Sequence, residues 1–284
     1  MTLTYYVEYI HASSVLDYFK GSIPPDLPYN DKMLNTKPTK IKWTLFYLKP
    51  KVVGEWEDFG RDASQYLATG KLQSSLAYLD YEIDNVVESE ADLRPYVEQN
   101  IFRPLRRLGS HTRVRYAAER TARKKKDRTN LEKSREGEVK REKPDYMLEF
   151  CNKGKCPFEL KTKATMKAQK AFDNAPVQLV KLNEDPEDDC KCLGQIYKCM
   201  VNTNSQCGIL SCYDTTIFLR TVKIKGRYVR LGISRPVANR SDKPYLHQAF
   251  VYFGSLVQKN KQKFPYNTCK CPFLSCSFCH NTGV

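Results

Sequence analysis

The feature that most limits what this chain can fold into is a pair of apolar runs joined by a short polar link: PDYMLEFC, NKGK and CPFELKTK, over residues 144–163. Tyr, Leu, Phe and Met dominate the runs, and Asn152 and Gly154 suit a tight turn, so the segment predicts a β-hairpin. Asp145 opens the first strand and Glu159 lies nearly opposite in the second, where facing side chains come within about 5 Å. Two carboxylates at that separation repel each other, and a hard divalent cation relieves the repulsion. Lys161 follows Glu159 by two residues, so the two share a face, while Leu160 turns to the core side. Lys163 continues the Glu159 face and can reach a phosphate. Phosphodiester hydrolysis needs these parts: carboxylates for a cation, an activated water and a positive charge where charge builds on phosphorus. Glu-X-Lys on a strand is also ordinary surface decoration in a charged chain. The strand–turn–strand setting and the helix that follows distinguish this instance.

The rest of the chain supplies elements of both kinds. IKWTLFYL, at Ile41–Leu48, predicts a buried strand between turns at Pro38 and Pro50. Helices are expected over Asp58–Thr69 and over Leu72–Val87, where Leu72, Leu76, Leu79 and Ile83 recur at helical spacing. Ser89 can cap a further helix with Glu90 and Asp92 in its first turn, and Pro95 and Pro104 divide that pattern into two short helices. After the hairpin, Ala164–Leu182 reads as mobile or helical and NEDPEDDC as an acidic loop. A helix, CLGQIYKCMVN, precedes three strands, CGILSCY, TTIFLRTVKI and RYVRLGIS, and a last helix, PYLHQAFVYFGSLVQKN.

Charge is unevenly spread. The 284 residues carry 47 Lys and Arg against 32 Asp and Glu, a net charge of +15. The tract from Arg103 to Lys143 holds 16 basic and 6 acidic residues, so ten of those charges lie within 41 residues. A local surplus of this size suits a polyanion, and nucleic acid is the commonest. Arg123, Lys124, Lys125, Lys126 and Arg128 are its densest part and, with Lys163, the expected phosphate contacts, which add salt-dependent affinity without sequence choice. The same RTARKKKDR segment fits a nuclear import signal and hence a nuclear protein that meets the import machinery. A solvated insertion at about 109–143 is the plainer account of such a run.

No segment approaches the roughly 18 to 20 apolar residues of a membrane span, so no membrane partner is expected. The opening residues, MTLTYYVEYIHASSVLDYFKG, lack the basic start, apolar run and cleavage site of a secretory leader. The 11 cysteines are then expected as thiols or metal ligands.

KPDYMLEF, FELKTK and GQIYKCMVNTNSQCGILSCYDTTIFLR together resemble the PD-(D/E)XK, or restriction-endonuclease-like, nuclease superfamily. More closely, they are similar to the nuclease domains of fungal Crinkler-type effectors and to those found beside fungal-type protein kinase domains. The resemblance spans roughly Glu88 to Gln258. It implies an α/β (α+β) fold with a mixed central sheet flanked by helices, and a Mg²⁺- or Mn²⁺-dependent endonuclease acting on DNA. It also implies a nuclear effector, delivered by a route without a standard leader. Asp145, Glu159 and Lys161 take the motif positions. A further metal-binding glutamate on the first helix corresponds to Glu90, with Glu98 as its rival, and Gln195 corresponds to a glutamine beside the metal. The resemblance assigns the nuclease domain to 88–262; the flanks lie outside it, with 1–87 read from position alone as an N-terminal accessory or recognition region and 263–284 from composition as a Cys-rich tail. Other functions use the same residues: an RNA-directed nuclease, or a nuclease fold kept only for binding nucleic acid or protein.

The tail, CKCPFLSCSFCH, places Cys269, Cys271, Cys276, Cys279 and His280 within 12 residues. Four such ligands hold Zn²⁺ tetrahedrally, so a structural zinc is one reading, with Cys190 and Cys192 as alternative contributors. Cys199, Cys207 and Cys212 fall in core elements, where a thiol is a small hydrophobe. Cys151 and Cys156 flank the hairpin turn. His11, His111, His247 and His280 make no arrangement with a cysteine that suggests a thiol nucleophile.

Overall fold

The computed structural model describes residues 7–10, 17, 19–20, 23–27, 29, 53–66, 76–79, 87–107, 112–116, 144–150, 154–163, 166, 190–224 and 228–259. The segments at 41–48, 117–143, 167–189 and 260–284 lie outside them. The expected Ile41–Leu48 strand, Arg123–Arg128, the acidic loop and the Cys-rich tail therefore all fall outside the described residues.

A mixed, open sheet organises the chain. Its strands are β2 (Val53–Glu55), β4 (Thr112–Tyr116), β5 (Tyr146–Phe150), β6 (Gly154–Leu160), β7 (Cys207–Ser211), β8 (Thr215–Ile224) and β9 (Tyr228–Ile233), with a short β10 (Val237–Ala238) added to β8. In space they run β2-β9-β8-β7-β6-β5-β4. β4, β5 and β6 are antiparallel neighbours, β7 lies parallel to β6, and β2 lies parallel to β9. β1 (Val7–Ile10) and β3 (Leu76–Leu79) form a separate antiparallel pair.

Helices cover both faces. α1 (Phe59–Gln65), α2 (Glu90–Tyr96), α3 (Arg103–Arg107) and α5 (Leu246–Lys259) contribute to the larger core, while α4 (Cys190–Asn202) packs on the other side. Alternation along the strands divides the cores. Tyr146, Leu148, Phe150, Phe158 and Leu160 enter the larger one with Phe59, Phe102, Phe250 and Phe253. Leu210, Ile217, Leu219, Leu231 and Ile233 meet Leu193, Ile196 and Met200 of α4. Each fully buried Phe or Leu contributes about 1.5–3 kcal/mol, which makes the aromatic side the main source of cohesion. Two glycines let helices approach the sheet. A Cβ at Gly208 would run into Met200, and one at Gly254 would run into the Phe150 ring.

Several expectations change. The helix predicted over Leu72–Val87 is replaced at Leu76–Leu79 by β3, paired with β1. LAYL is a short apolar run, and such runs satisfy helix and strand spacing equally, so the partner decides. The basic insertion expected at 109–143 contains a strand at its start, since β4 pairs with β5 from Thr112↔Phe150 to Tyr116↔Tyr146. The two short helices expected around Pro95 and Pro104 are joined by a π-helical turn, Val97–Phe102, in which the Arg103 amide donates to the Glu98 carbonyl. Pro104 has no amide to give the Asn100 carbonyl. That oxygen instead accepts from Nε2 of buried His247, 3.0 Å away on α5. Part of the region expected at 1–87 packs with the rest of the chain. β2 is an outer strand of the main sheet, and Trp56, Phe59, Ala63 and Val87 lie within the larger core. Phe59 stacks on Phe218, and Arg220 lies over the Trp56 ring, 3.9 Å from its centre. Among the described residues, no helix is long and apolar enough to cross a membrane.

Candidate active site

Antiparallel register builds the site. Tyr146 faces Phe158 across β5 and β6, which sets Asp145 and Glu159, one residue further along, opposite each other. β6 ends beside β7 as its parallel neighbour, and the Lys161 amide donates to the Ser211 carbonyl, so the chain stays extended through Lys161. Carboxyl ends of adjacent parallel strands are where open α/β sheets leave a crevice. Here Glu159 and Lys161 face α4, and Phe158 and Leu160 face the aromatic core.

Lys161 is the centre of the cluster. Its Nζ donates to Glu159 Oε1 at 2.7 Å and lies 3.4 Å from Glu90 Oε2. Gln195 Nε2 of α4 donates to the same Glu159 oxygen, and Cys199 Sγ, one turn further along α4, lies 4.0 Å from Glu159 Oε2. Asp145 is held on both sides. The Leu160 amide donates to Oδ2 and Arg94 Nη2 to Oδ1, each at 2.9 Å.

Burial sets the electrostatics. Glu159 and Lys161 are buried, at 2% and 7% exposure. Burial pushes the Glu159 carboxyl up to about 7, Asp145 and Glu90 push it the same way, and Lys161 opposes them. Burial raises Glu90 as well, again against Lys161. Burial pulls the Lys161 ammonium down, but the carboxylates of Glu159 and Glu90 outweigh it and hold the group well above the usual lysine range. The cluster thus keeps a permanent cation beside a carboxyl poised near neutrality.

Glu90 and Glu98 separate clearly. Ser89 precedes α2 as expected, with its amide and hydroxyl donating to the Asp92 carboxylate at 2.8 Å. That start places Glu90 at Lys161, whereas Glu98 accepts from the Tyr146 hydroxyl at 3.3 Å. Lys163 leaves the cluster. It pairs with Asp214 at 3.4 Å and lies 5.4 Å from the centre of the Tyr29 ring, with about half its side chain exposed. Cys192, Cys199, Cys207 and Cys212 are buried thiols, and so is Cys156.

Arg94 is new to the site, and Cys199 enters it in addition to its expected place in the core. Arg94 lies four residues after Glu90 and Cys199 four after Gln195, so each shares a helix face with a residue already singled out. That spacing was the available signal.

The donor set of Glu90, Asp145 and Glu159 is all carboxylate oxygen, which suits a hard divalent cation. Their charged partners are Lys161 and Arg94, and among the described residues no group of three His, Cys, Asp or Glu side chains is arranged to hold a metal ion. No known protein family, curated protein or solved structure matches the chain.

Proposed function

We propose that the chain is a metal-dependent nuclease of the PD-(D/E)XK type that hydrolyses phosphodiester bonds, with DNA as the favoured substrate. The observation that carries this reading is the convergence of Glu159 and Glu90 on Lys161, with Asp145 opposite Glu159 across the hairpin and Gln195 on the Glu159 carboxylate. Three carboxylates gathered beside a buried lysine cost desolvation and mutual repulsion, and such sites are commonly functional ones. Asp145, Glu159 and Glu90 would hold Mg²⁺ or Mn²⁺, which when bound supplies Lewis acidity and a more acidic water. Lys161 presents a fixed positive charge where charge develops on the scissile phosphate. Gln195 fixes the rotamer of Glu159, and the Leu160 amide fixes Asp145. The mixed sheet with helices on both faces supports a restriction-endonuclease-like core, and that finer assignment is part of the proposal. So are a nuclear location through RTARKKKDR and phosphate contacts from Arg123–Arg128 and Lys163.

The test is cleavage of plasmid, single-stranded DNA and RNA in Mg²⁺ or Mn²⁺ by wild type, Lys161→Ala and Glu159→Gln. Wild type cleaves DNA, and each variant loses about a hundredfold or more while remaining folded. Absence of cleavage by wild type on all three substrates rejects the nuclease reading. Cleavage of RNA alone transfers the site to the RNA-directed reading.

A further inference from the structure

Asp145 has no oxygen without a partner. The Leu160 amide is a fixed part of β6 and orients Oδ2, so the bond from Arg94 to Oδ1 is the one made by a movable side chain. Arg94 lies one turn after Glu90 on α2, and the same helix therefore delivers a carboxylate to Lys161 and a guanidinium to Asp145. The cluster is divided between two internal cations: Lys161 holds Glu159 and Glu90, and Arg94 holds Asp145. The two pairs differ in access. The Lys161 side chain is 9% exposed, whereas that of Arg94 is 36% exposed, with its Nε buried, so Arg94 is the more accessible of the two cations.

We propose that Arg94 is a resident counter-ion of Asp145 that a divalent cation must displace, so that Arg94 sets how tightly the site takes Mg²⁺ or Mn²⁺. This rests on the nuclease reading above, because it takes Asp145 as a cation ligand. A site whose competent arrangement is held back by an internal ion pair binds its ligand more weakly by the fraction of molecules in which that pair is open. Arg94 also keeps the acidic cluster neutralised while no cation is bound, and withdrawing it removes a like charge from the incoming ion.

The experiment is calorimetric titration of the full chain with Mn²⁺, comparing wild type, Arg94→Gln, Arg94→Lys, Asp145→Asn and Arg94→Gln combined with Asp145→Asn. Removing a partly exposed ion pair of this kind should tighten Mn²⁺ binding by roughly five- to tenfold in Arg94→Gln. Arg94→Lys keeps a charge but loses the planar fork, and tightens binding by about two- to threefold. It answers the question if Arg94→Gln fails to fold. The double variant loses the gain, and the rise in unfolding temperature on adding Mn²⁺ is larger for Arg94→Gln than for wild type. Equal or weaker Mn²⁺ binding by the folded Arg94 variants overturns the inference, as does a gain that survives Asp145→Asn. If wild type binds Mn²⁺ and the Arg94 variants match it, the inference falls alone and the nuclease reading stands. If neither wild type nor variant binds Mn²⁺, both fall together.

Discussion

Glu159 is the residue whose state matters most. Its folded carboxyl is raised from the ordinary 4.5 to about 7, first by burial and then by Asp145 and Glu90. The folded chain therefore keeps a proton through that window which the unfolded chain releases. Stability from this group is fullest below about pH 4.5 and declines as pH rises towards 7. Glu90 is shifted the same way. Lys161, held above its ordinary range, stays charged throughout and does not alter the sign. Without divalent cations, Glu159→Gln should therefore gain on wild type by about 1–3 kcal/mol between about pH 5 and about pH 8. Denaturant unfolding at both pH values measures the gap. A gap that stays constant would mean Glu159 does not titrate in that window. Asp145, Glu159 and Lys161 were legible as a set because strand alternation and hairpin opposition are local rules. Arg94 was not, since nothing local tells that its helix lies over Asp145.

At the scale of elements, two helix–sheet contacts depend on glycine in different ways. α5 crosses β5 where Gly254 meets the ring of Phe150, a fully buried side chain with aromatic neighbours on the same side. α4 crosses β7 where Gly208 meets the end of the Met200 side chain, which is flexible. Gly254→Ala should cost about 1–3 kcal/mol from overpacking, and Gly208→Ala should cost less. Thermal unfolding of the two variants checks the order, and equal losses would contradict it. Helices α4 and α5 and strands β5 to β9 were readable from apolar periodicity. β4 was overlooked because arginines dominate the impression of its segment, although Thr112, Val114 and Tyr116 alternate with Arg113 and Arg115. The helix expected at Leu72–Val87 failed for the reverse reason. Its leucine spacing was real, and pairing of Leu76–Leu79 with Val7–Ile10 overrode it.

For the whole molecule, residues 53–66 belong to the fold that carries the site. β2 continues the sheet beside β9, the Trp56 amide donates to the Ile233 carbonyl at 2.7 Å, and α1 packs against α5. A chain cut to residues 88–284 should lose β2 together with Trp56, Phe59 and Ala63, and fail to reach a cooperative fold. Loss of near-ultraviolet circular dichroism and of a single unfolding transition would show this, whereas a stable truncated domain would restore the boundary at 87. Under the proposed nuclease function, the basic tract would act at longer range. Replacing Arg123, Lys124, Lys125 and Lys126 by glutamine should flatten the salt dependence of duplex DNA affinity, by up to about 0.9 in log–log slope for each lost phosphate contact. An unchanged slope in fluorescence anisotropy titrations would remove these residues from the DNA contact.

The sequence by itself determined the hairpin, the opposition of Asp145 to Glu159, the shared face of Glu159 and Lys161, and the concentration of positive charge. These follow from backbone period, turn chemistry and composition, each expressed within a few residues. Only the tertiary structure decided that Glu90 rather than Glu98 meets Lys161, that Arg94 holds Asp145, that Lys163 turns to Asp214, and that β2 and α1 complete the core. Those outcomes depend on which distant segments pack together, through burial and strand pairing that no short window contains. The site's charge balance is of this second kind, because it is made by residues some 50 to 70 positions apart that share one buried volume.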